Sequence, residues 1–384
     1  MLRLLAGEAA RRFGARAAVV SGATCLTYAQ LDRLSDEVAA GLAHRGIRIG
    51  DVVALILPDG PEFVVCYLAA AKIGAITAGI GTDRPQLLAK LDPAIVVTVP
   101  GVLPPLAGVD VVVLHPGDDL RMGGLRRAEP PPPPFPPDPD RHVVITFTSG
   151  TTGPPKGVLF GDRQLEAIRA HGAGARWGVG DARLVTHPFW HMAFATRLPV
   201  FLQTGRTSHI LPRWDAEAAV RMMRERELRV LQGTPRQLAE ILKTGAALPA
   251  LTLALSSGAP APPELVRALR EKYGVPVCNR YICTEAGLGL GTRPEDPPED
   301  AEQTVGRPRA GVDVSIRDTG GRILEAEEEG EVLLRSRAVM SGYIEKSLDR
   351  WVFARDGFVR TGDRGYIDSS GRLHLVGRVA KEGP

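Results

Sequence analysis

Residues 143–158 read VVITFTSGTTGPPKGV, an apolar β-branched run that empties into a loop of hydroxyls, glycines and one lysine. Val143, Val144 and Ile145 have the composition of a buried strand. The loop behind them gathers Thr146, Thr148, Ser149, Thr151 and Thr152 with Gly150, Gly153, Gly157 and Lys156. Glycines let backbone N–H groups approach an anion, hydroxyls add donors and the lysine adds charge, so the composition suits gripping phosphate. It is not a Walker loop, because Lys156 follows Pro155 and precedes Gly157 instead of standing in a Gly-Lys-Ser/Thr triplet. The competing reading is an ordinary turn between a strand and a helix, which would need fewer donors.

Outward from this loop the chain alternates strand and helix signals. VVALIL (52–57), AIVVTV (94–99) and VDVVVL (109–114) are continuous apolar runs, while Tyr28–Ala43 and Pro61–Ile73 carry apolar residues at helical spacing. Continuous runs of this kind mark strands covered on both faces, so the pattern predicts an α/β fold with mainly parallel sheets. Alternation resumes beyond residue 150 to about Gly287. From Thr304 onward short strands separated by Gly and Asp turns (VDVSIRD, GEVLLRS, FVRTGD, RLHLVGR) predict a small antiparallel, barrel-like β unit. Between the two textures of the first half, residues 129–140 hold five successive prolines, Phe135 and two more prolines. Such a stretch cannot enter a helix or a central strand, and reads as a stiff surface linker or a polyproline-type ligand.

Composition bounds the function. A chain of 384 residues, 44% hydrophobic and 24% charged, can bury a large core, and its net charge of +3 with no dominant basic block argues against a nucleic-acid partner. Cys25, Cys66, Cys278 and Cys283 show no zinc-type spacing, which suits a reducing cytoplasm. The N-terminal apolar run is too short for a signal peptide, and the run Phe63–Ala71 is cut by Lys72, so no membrane span is expected.

The loop TSGTTGPPKG resembles the phosphate loop of the adenylate-forming superfamily, which includes acyl-CoA synthetases, peptide-synthetase adenylation domains and luciferases. Other pieces follow in that family's order: Leu26-Thr27-Tyr28, Ser257-Gly258-Ala259, Tyr281-Ile282-Cys283-Thr284-Glu285, Gly330-Glu331-Val332 with Ser341-Gly342-Tyr343, Arg360-Thr361-Gly362-Asp363 and Gly377-Arg378. The resemblance implies two stacked α/β layers plus the small β unit, and an acid–thiol ligase that activates a carboxylic acid with ATP as acyl-AMP for transfer to CoA. Within it, Thr148, Ser149, Gly150, Thr151, Thr152, Gly153 and Lys156 would hold the phosphates, and Glu285 with Thr151 would hold Mg²⁺. Tyr281 would stack on adenine, with Gly258, Ala259, Thr284 and Leu375 near the base, Asp363 accepting from the ribose hydroxyls and Arg378 contacting ribose or phosphate. His191 would orient the acid's carboxylate, in a pocket formed by Phe189, Trp190, Met192, Phe194, Gly233, Thr234 and Ile282. Read alone, Asp363 is turn chemistry, Glu285 a helix first-turn charge and His191 a core histidine. His142, His171, His187 and His209 are taken as structural.

Two departures qualify the resemblance. Ile282 stands where glycine is usual, which should narrow or redirect the acyl pocket. Ala380 occupies a hinge position where Asp or Lys is expected, and relatives continue beyond the hinge into a mobile lid that carries a catalytic lysine. The expected organisation is residues 1–128 and 141–303 as α/β subdomains around the 129–140 linker, 304–376 as the β unit and 377–384 as a hinge stub, with turnover impaired without the lid. An amino acid is disfavoured as substrate, since Trp190 to Leu198 contains no acidic residue to bind an amino group, and the lining by Phe189, Trp190, Met192, Phe194 and Ile282 makes a hydrophobic acid the expectation. The alternatives are an adenylation domain delivering to a carrier-protein thiol, and a non-adenylating relative that binds a preformed acyl-adenylate.

Overall fold

The run VVALIL forms strand Val52–Ile56, the middle of a sheet whose order follows from its parallel pairings. In this computed structural model, which describes residues 1–115, 120–148 and 153–379 and at Leu288 the backbone alone, the chain divides into two compact units, Met1–Arg213 and Trp214–Pro384. In the first unit Ile76–Gly79 and Pro93–Thr98 flank Val52–Ile56, His142–Phe147 lies beyond the former and Asp110–Val113 beyond the latter, all parallel. Ala54, Leu55, Ile95 and Val96 are fully buried, which is why these strands show no polar alternation. A second sheet in this unit runs Thr24–Thr27, Ala17–Ser21, Ser208–Ile210, Arg183–Val185.

Helix Tyr28–His44 starts at Thr27, whose hydroxyl accepts from Gln30 N–H while the Gln30 side chain accepts from Thr27 N–H. It buries Leu31, Leu34, Val38 and Leu42. Gly41, a weak helix former, is needed there because a Cβ would fall 1.6 Å from the Leu125 carbonyl oxygen. Helix Pro61–Lys72 is buried along nearly its whole length. Its last residue, Lys72, is 1% exposed and donates to Asp32 Oδ1 at 2.6 Å and Asp36 Oδ1 at 2.8 Å, so its charge is neutralised by the neighbouring helix. Residues 129–140 form neither helix nor strand. Arg3 donates to the Pro132 carbonyl at 2.8 Å and the Arg141 guanidinium sits 4.1 Å from the Phe135 ring centre, which fastens that segment to its own unit.

In the second unit strands Val230–Gly233, Leu253–Ser257 and Val277–Cys283 lie side by side in parallel, extended antiparallel by Gly287–Gly291 and Arg307–Pro308. Strands Val312–Arg317, Gly330–Ser336, Val359–Ile367 and Leu373–Arg378 make a separate antiparallel sheet in that order. The architecture is mixed α/β, with mainly parallel sheets and one antiparallel sheet. No helix among the described residues is long and apolar enough to cross a membrane.

Candidate functional site

The phosphate-type loop joins two antiparallel strands, His142–Phe147 and Gly157–Gly161, and the helix Asp162–Ala173 begins only after the second. It is therefore a hairpin loop; the three apolar residues of the second strand, Val158 to Phe160, are too few to announce themselves in the sequence. Its base is closed by Thr148 N–H donating to the Lys156 carbonyl and Lys156 N–H donating to Thr148 Oγ1, each at 3.0 Å. Ser149, Gly150, Thr151 and Thr152 lie outside the described residues, as does Ala380. Gly153 is the first described residue beyond that stretch, with φ of 150°.

Elsewhere in the first unit, Pro188-Phe189-Trp190 lead into His191, which caps the short helix Met192–Ala195. His191 Nδ1 accepts from Ala193 N–H at 3.2 Å. A neutral ring with an accepting Nδ1 carries its proton on Nε2, and burial, aided by Arg84, holds the His191 pKa below its ordinary value. At neutral pH the residue is thus an uncharged donor through Nε2. His187, at 6.2 Å between ring centres, is lowered to about 4 by burial and then by His191 and Arg197. Phe194 is 2% exposed and stacks on Phe189 at 3.7 Å, while Phe63 meets Phe189 edge-on at 5.7 Å. Trp190 is seated against backbone without side chains: a Cβ on Gly79 would lie 2.8 Å from Trp190 Cα, and one on Gly81 2.9 Å from Trp190 Nε1.

Asp59, which no sequence signal singled out, accepts from Phe189 N–H at 2.7 Å and so fixes the turn that carries His191. The two residues are 130 positions apart. Burial pushes the Asp59 carboxyl up to about 6, against the opposing pull of that N–H. A raised value means that the native state holds this proton more tightly than the unfolded chain, so the Asp59 contribution to stability falls as pH rises from about 4 to about 6 and stays low above that. Asp59→Asn keeps an acceptor for Phe189 and removes the titration. Urea unfolding should show the variant gaining on the parent by on the order of 2 kcal/mol between about pH 4 and about pH 7; a pH-independent difference would show an ordinary carboxylate.

In the second unit the C-terminal ends of three adjacent parallel strands deliver Gly233-Thr234, Gly258-Ala259 and Tyr281-Ile282 to one edge of the sheet, the usual place for a ligand in open α/β sheets. Thr234 caps helix Pro235–Lys243, accepting from Gln237 N–H at 3.3 Å. Gly258 has φ of 86°, and a Cβ there would touch only Thr234 Cγ2 at 3.6 Å. The pairing register shifts between Tyr281 and Ile282, so the ladder is irregular at this edge. Thr284 and Glu285 sit in the tight connection to strand Gly287–Gly291, so Glu285 is not a helix first-turn charge. Glu285 Oε1 accepts from the Tyr343 hydroxyl at 2.8 Å.

Tyr281 is 7% exposed, and its hydroxyl donates to Asp363 Oδ2. Arg378, directly opposite Asp363 across the antiparallel pair, donates to the other carboxylate oxygen at 2.7 Å. Asp363 N–H donates to Thr361 Oγ1 at 3.0 Å, and that hydroxyl donates to the Val332 carbonyl at 2.7 Å. Asp363 thus lies within strand Val359–Ile367, beside Gly362 at φ of 71°, and not in a free turn. Leu375, three residues before Arg378, pairs with Gly365 in the same sheet. Tyr343 and Thr361 act as supports; both lie inside motifs quoted from the sequence, where their order is a signal but their partners are not.

A protein-family profile described as AMP-binding enzyme matches residues 7–344. The chain is 30% identical over 409 residues to 4-coumarate–CoA ligase 1 of Oryza sativa subsp. japonica, covering 95% of this chain and 72% of that protein. It is 28% identical to the long-chain-fatty-acid–CoA ligase FadD13 of Mycobacterium tuberculosis, covering 92% and 73%. The inhibitor-bound N-terminal domain of FACL13 from Mycobacterium tuberculosis superposes with a TM-score of 0.86 at 27% identity, covering 98% of this chain and 99% of that one. O-succinylbenzoate coenzyme A synthetase from Bacillus subtilis, in complex with ATP and magnesium ion, shares the fold at a TM-score of 0.84 and 23% identity, covering 97% and 79%.

Proposed function

The chain belongs to the AMP-binding enzyme family, and we propose that it activates an apolar carboxylic acid with ATP as an acyl-adenylate, for transfer to the thiol of CoA. The observation that carries the proposal is the Asp363 carboxylate, held by Tyr281 on one oxygen and Arg378 on the other, with Gly258 leaving space beside the neighbouring strand end. An oriented carboxylate is the acceptor that two adjacent ribose hydroxyls need. Tyr281, Ala259, Thr284 and Leu375 border the base, and Lys156 with the loop it closes meets the phosphates. His191 donates through Nε2 to an oxygen of the acid. In an attack of carboxylate on the α-phosphorus, such fixed donors lower the barrier by positioning and by stabilising charge that is already partly developed.

The residues fit Mg²⁺ in the limited sense that ion requires. Among the described residues no group of three or more His, Cys, Asp or Glu gathers, and Mg²⁺ in nucleotide sites takes one or two carboxylates and completes its shell with phosphates and water. Glu285, whose Oε1 takes the Tyr343 hydroxyl and whose other oxygen has no hydrogen-bond partner among the described residues, would hold it, with Thr151; when bound it neutralises phosphate charge. The CoA ligases among the relatives support CoA as acceptor over a carrier protein. Phe189, Trp190, Met192 and Ile282 support an apolar acid.

Acid-dependent exchange of labelled pyrophosphate into ATP, over a panel of aliphatic, aromatic and polar acids, tests the reading. Exchange with apolar acids supports it, and exchange with none, or with polar acids alone, opposes it. In the same panel Ile282→Gly should shift discrimination between small and bulky acids by about 1–3 kcal/mol while changing ATP affinity little. An unchanged order of preference in a folded variant would place Ile282 outside the acid pocket.

A further inference from the structure

The Tyr281 ring suits a base-stacking role, yet stacking needs no hydroxyl. The hydroxyl is buried and committed: it donates to Asp363 Oδ2, while Arg378 donates to Oδ1 and Thr361 pins the Asp363 main chain. The Asp363 side chain is 12% exposed and its Arg378 partner 50% exposed, so the carboxylate, though largely buried, still reaches solvent. We propose that the Tyr281 hydroxyl is a positioning group that fixes the plane of the Asp363 carboxylate, so that its remaining lone pairs meet both ribose hydroxyls and the site distinguishes ribonucleotides from deoxyribonucleotides. This rests on Asp363 being the ribose acceptor of the proposed function.

Each carboxylate oxygen can accept two hydrogen bonds, so one donor per oxygen leaves capacity for one ribose hydroxyl per oxygen. Arg378 alone, long and half-exposed, would leave the carboxylate free to rotate about its last torsion. The tyrosine comes from a strand of the other sheet and has a short, rigid reach, so it removes that freedom. Burial above all, with the Asp363 carboxylate beside it, raises the Tyr281 pKa well above its ordinary value, so the hydroxyl stays a protonated donor at neutral pH.

Calorimetric titration of the chain with ATP, 2′-deoxy-ATP and 3′-deoxy-ATP tests this, run on the parent and on Tyr281→Phe, which keeps the ring. The parent should favour ATP over each deoxy form by roughly 10-fold or more, the range for one hydrogen bond to a charged group. Tyr281→Phe should shrink that ratio by about 3-fold or more, through weaker ATP binding and little change for the deoxy forms. A purely structural hydroxyl would lower the melting temperature and leave the ratio unmoved, and that result overturns the proposal. If Tyr281→Phe fails to fold, Thr361→Val loosens Asp363 from its other side and must shrink the same ratio; an unchanged ratio there overturns it equally. A parent that binds ATP without preference over the deoxy forms also overturns it, whereas a parent that binds no ATP rejects the nucleotide-site reading itself.

Discussion

Replacing His191 by alanine is expected to slow acid activation by about 100-fold or more, because under the proposed function its Nε2–H is a donor to the acid. The magnitude follows from the roughly 3–4 kcal/mol that a fixed donor at a developing charge contributes to a transition state. The tautomer sharpens the expectation. With Nδ1 occupied by Ala193 N–H, the ring works through Nε2–H and as a neutral group, since burial and Arg84 keep its pKa low. A general-base role would need the opposite tautomer. His191→Gln, whose amide can place an N–H near the same point, should therefore recover part of the rate, and a rise in rate with pH through the histidine range is not expected. Pyrophosphate exchange on both variants, with melting curves as control for the lost helix cap, decides between this and a histidine that serves only the helix Met192–Ala195. Full exchange by a folded His191→Ala would assign it to the cap.

Asp363→Ala should weaken ATP binding by about 1.5–3 kcal/mol, the cost of hydrogen bonds to a charged group. The sequence alone suggests a change confined to the ligand. The structure says otherwise, because the same carboxylate satisfies the buried Tyr281 hydroxyl and faces the Arg378 charge. Alanine strands that hydroxyl at a further cost of about 1–3 kcal/mol to the fold. Asp363→Asn retains an acceptor for Tyr281 and is the cleaner variant: it should lose much of the affinity with a smaller loss of thermal stability. Calorimetry and melting on both variants separate the two effects, and unchanged ATP affinity in either would return Asp363 to a structural role.

The parallel strands at 52–56 and 93–98 and the helix at 28–44 are legible because burial on both faces, and one-sided burial with a capping box, each leave a periodicity in composition. Gly41 reads as a flaw in that helix until the Leu125 carbonyl is seen where its side chain would be. The candidate residues were legible as motifs, since their chemistry is local. Their supports were not. Asp59 and Phe189, or Tyr281 and Asp363, meet across 130 and 82 positions, and such pairing is set by sheet order and register, which local composition does not carry. The hairpin nature of the phosphate loop was hidden for a related reason, as strand Gly157–Gly161 is recognisable mainly by its partner.

The most direct test of acyl-adenylate formation follows oxygen. With a carboxylic acid labelled in both carboxylate oxygens by oxygen-18, together with ATP, Mg²⁺ and CoA, attack of the acid on the α-phosphorus leaves one labelled oxygen in the phosphate of AMP once the acyl group has moved to the thiol. Mass spectrometry of the nucleotide product should show that single label, in step with acyl-CoA. Acyl-CoA formed alongside unlabelled AMP, or alongside ADP and phosphate, would contradict the account.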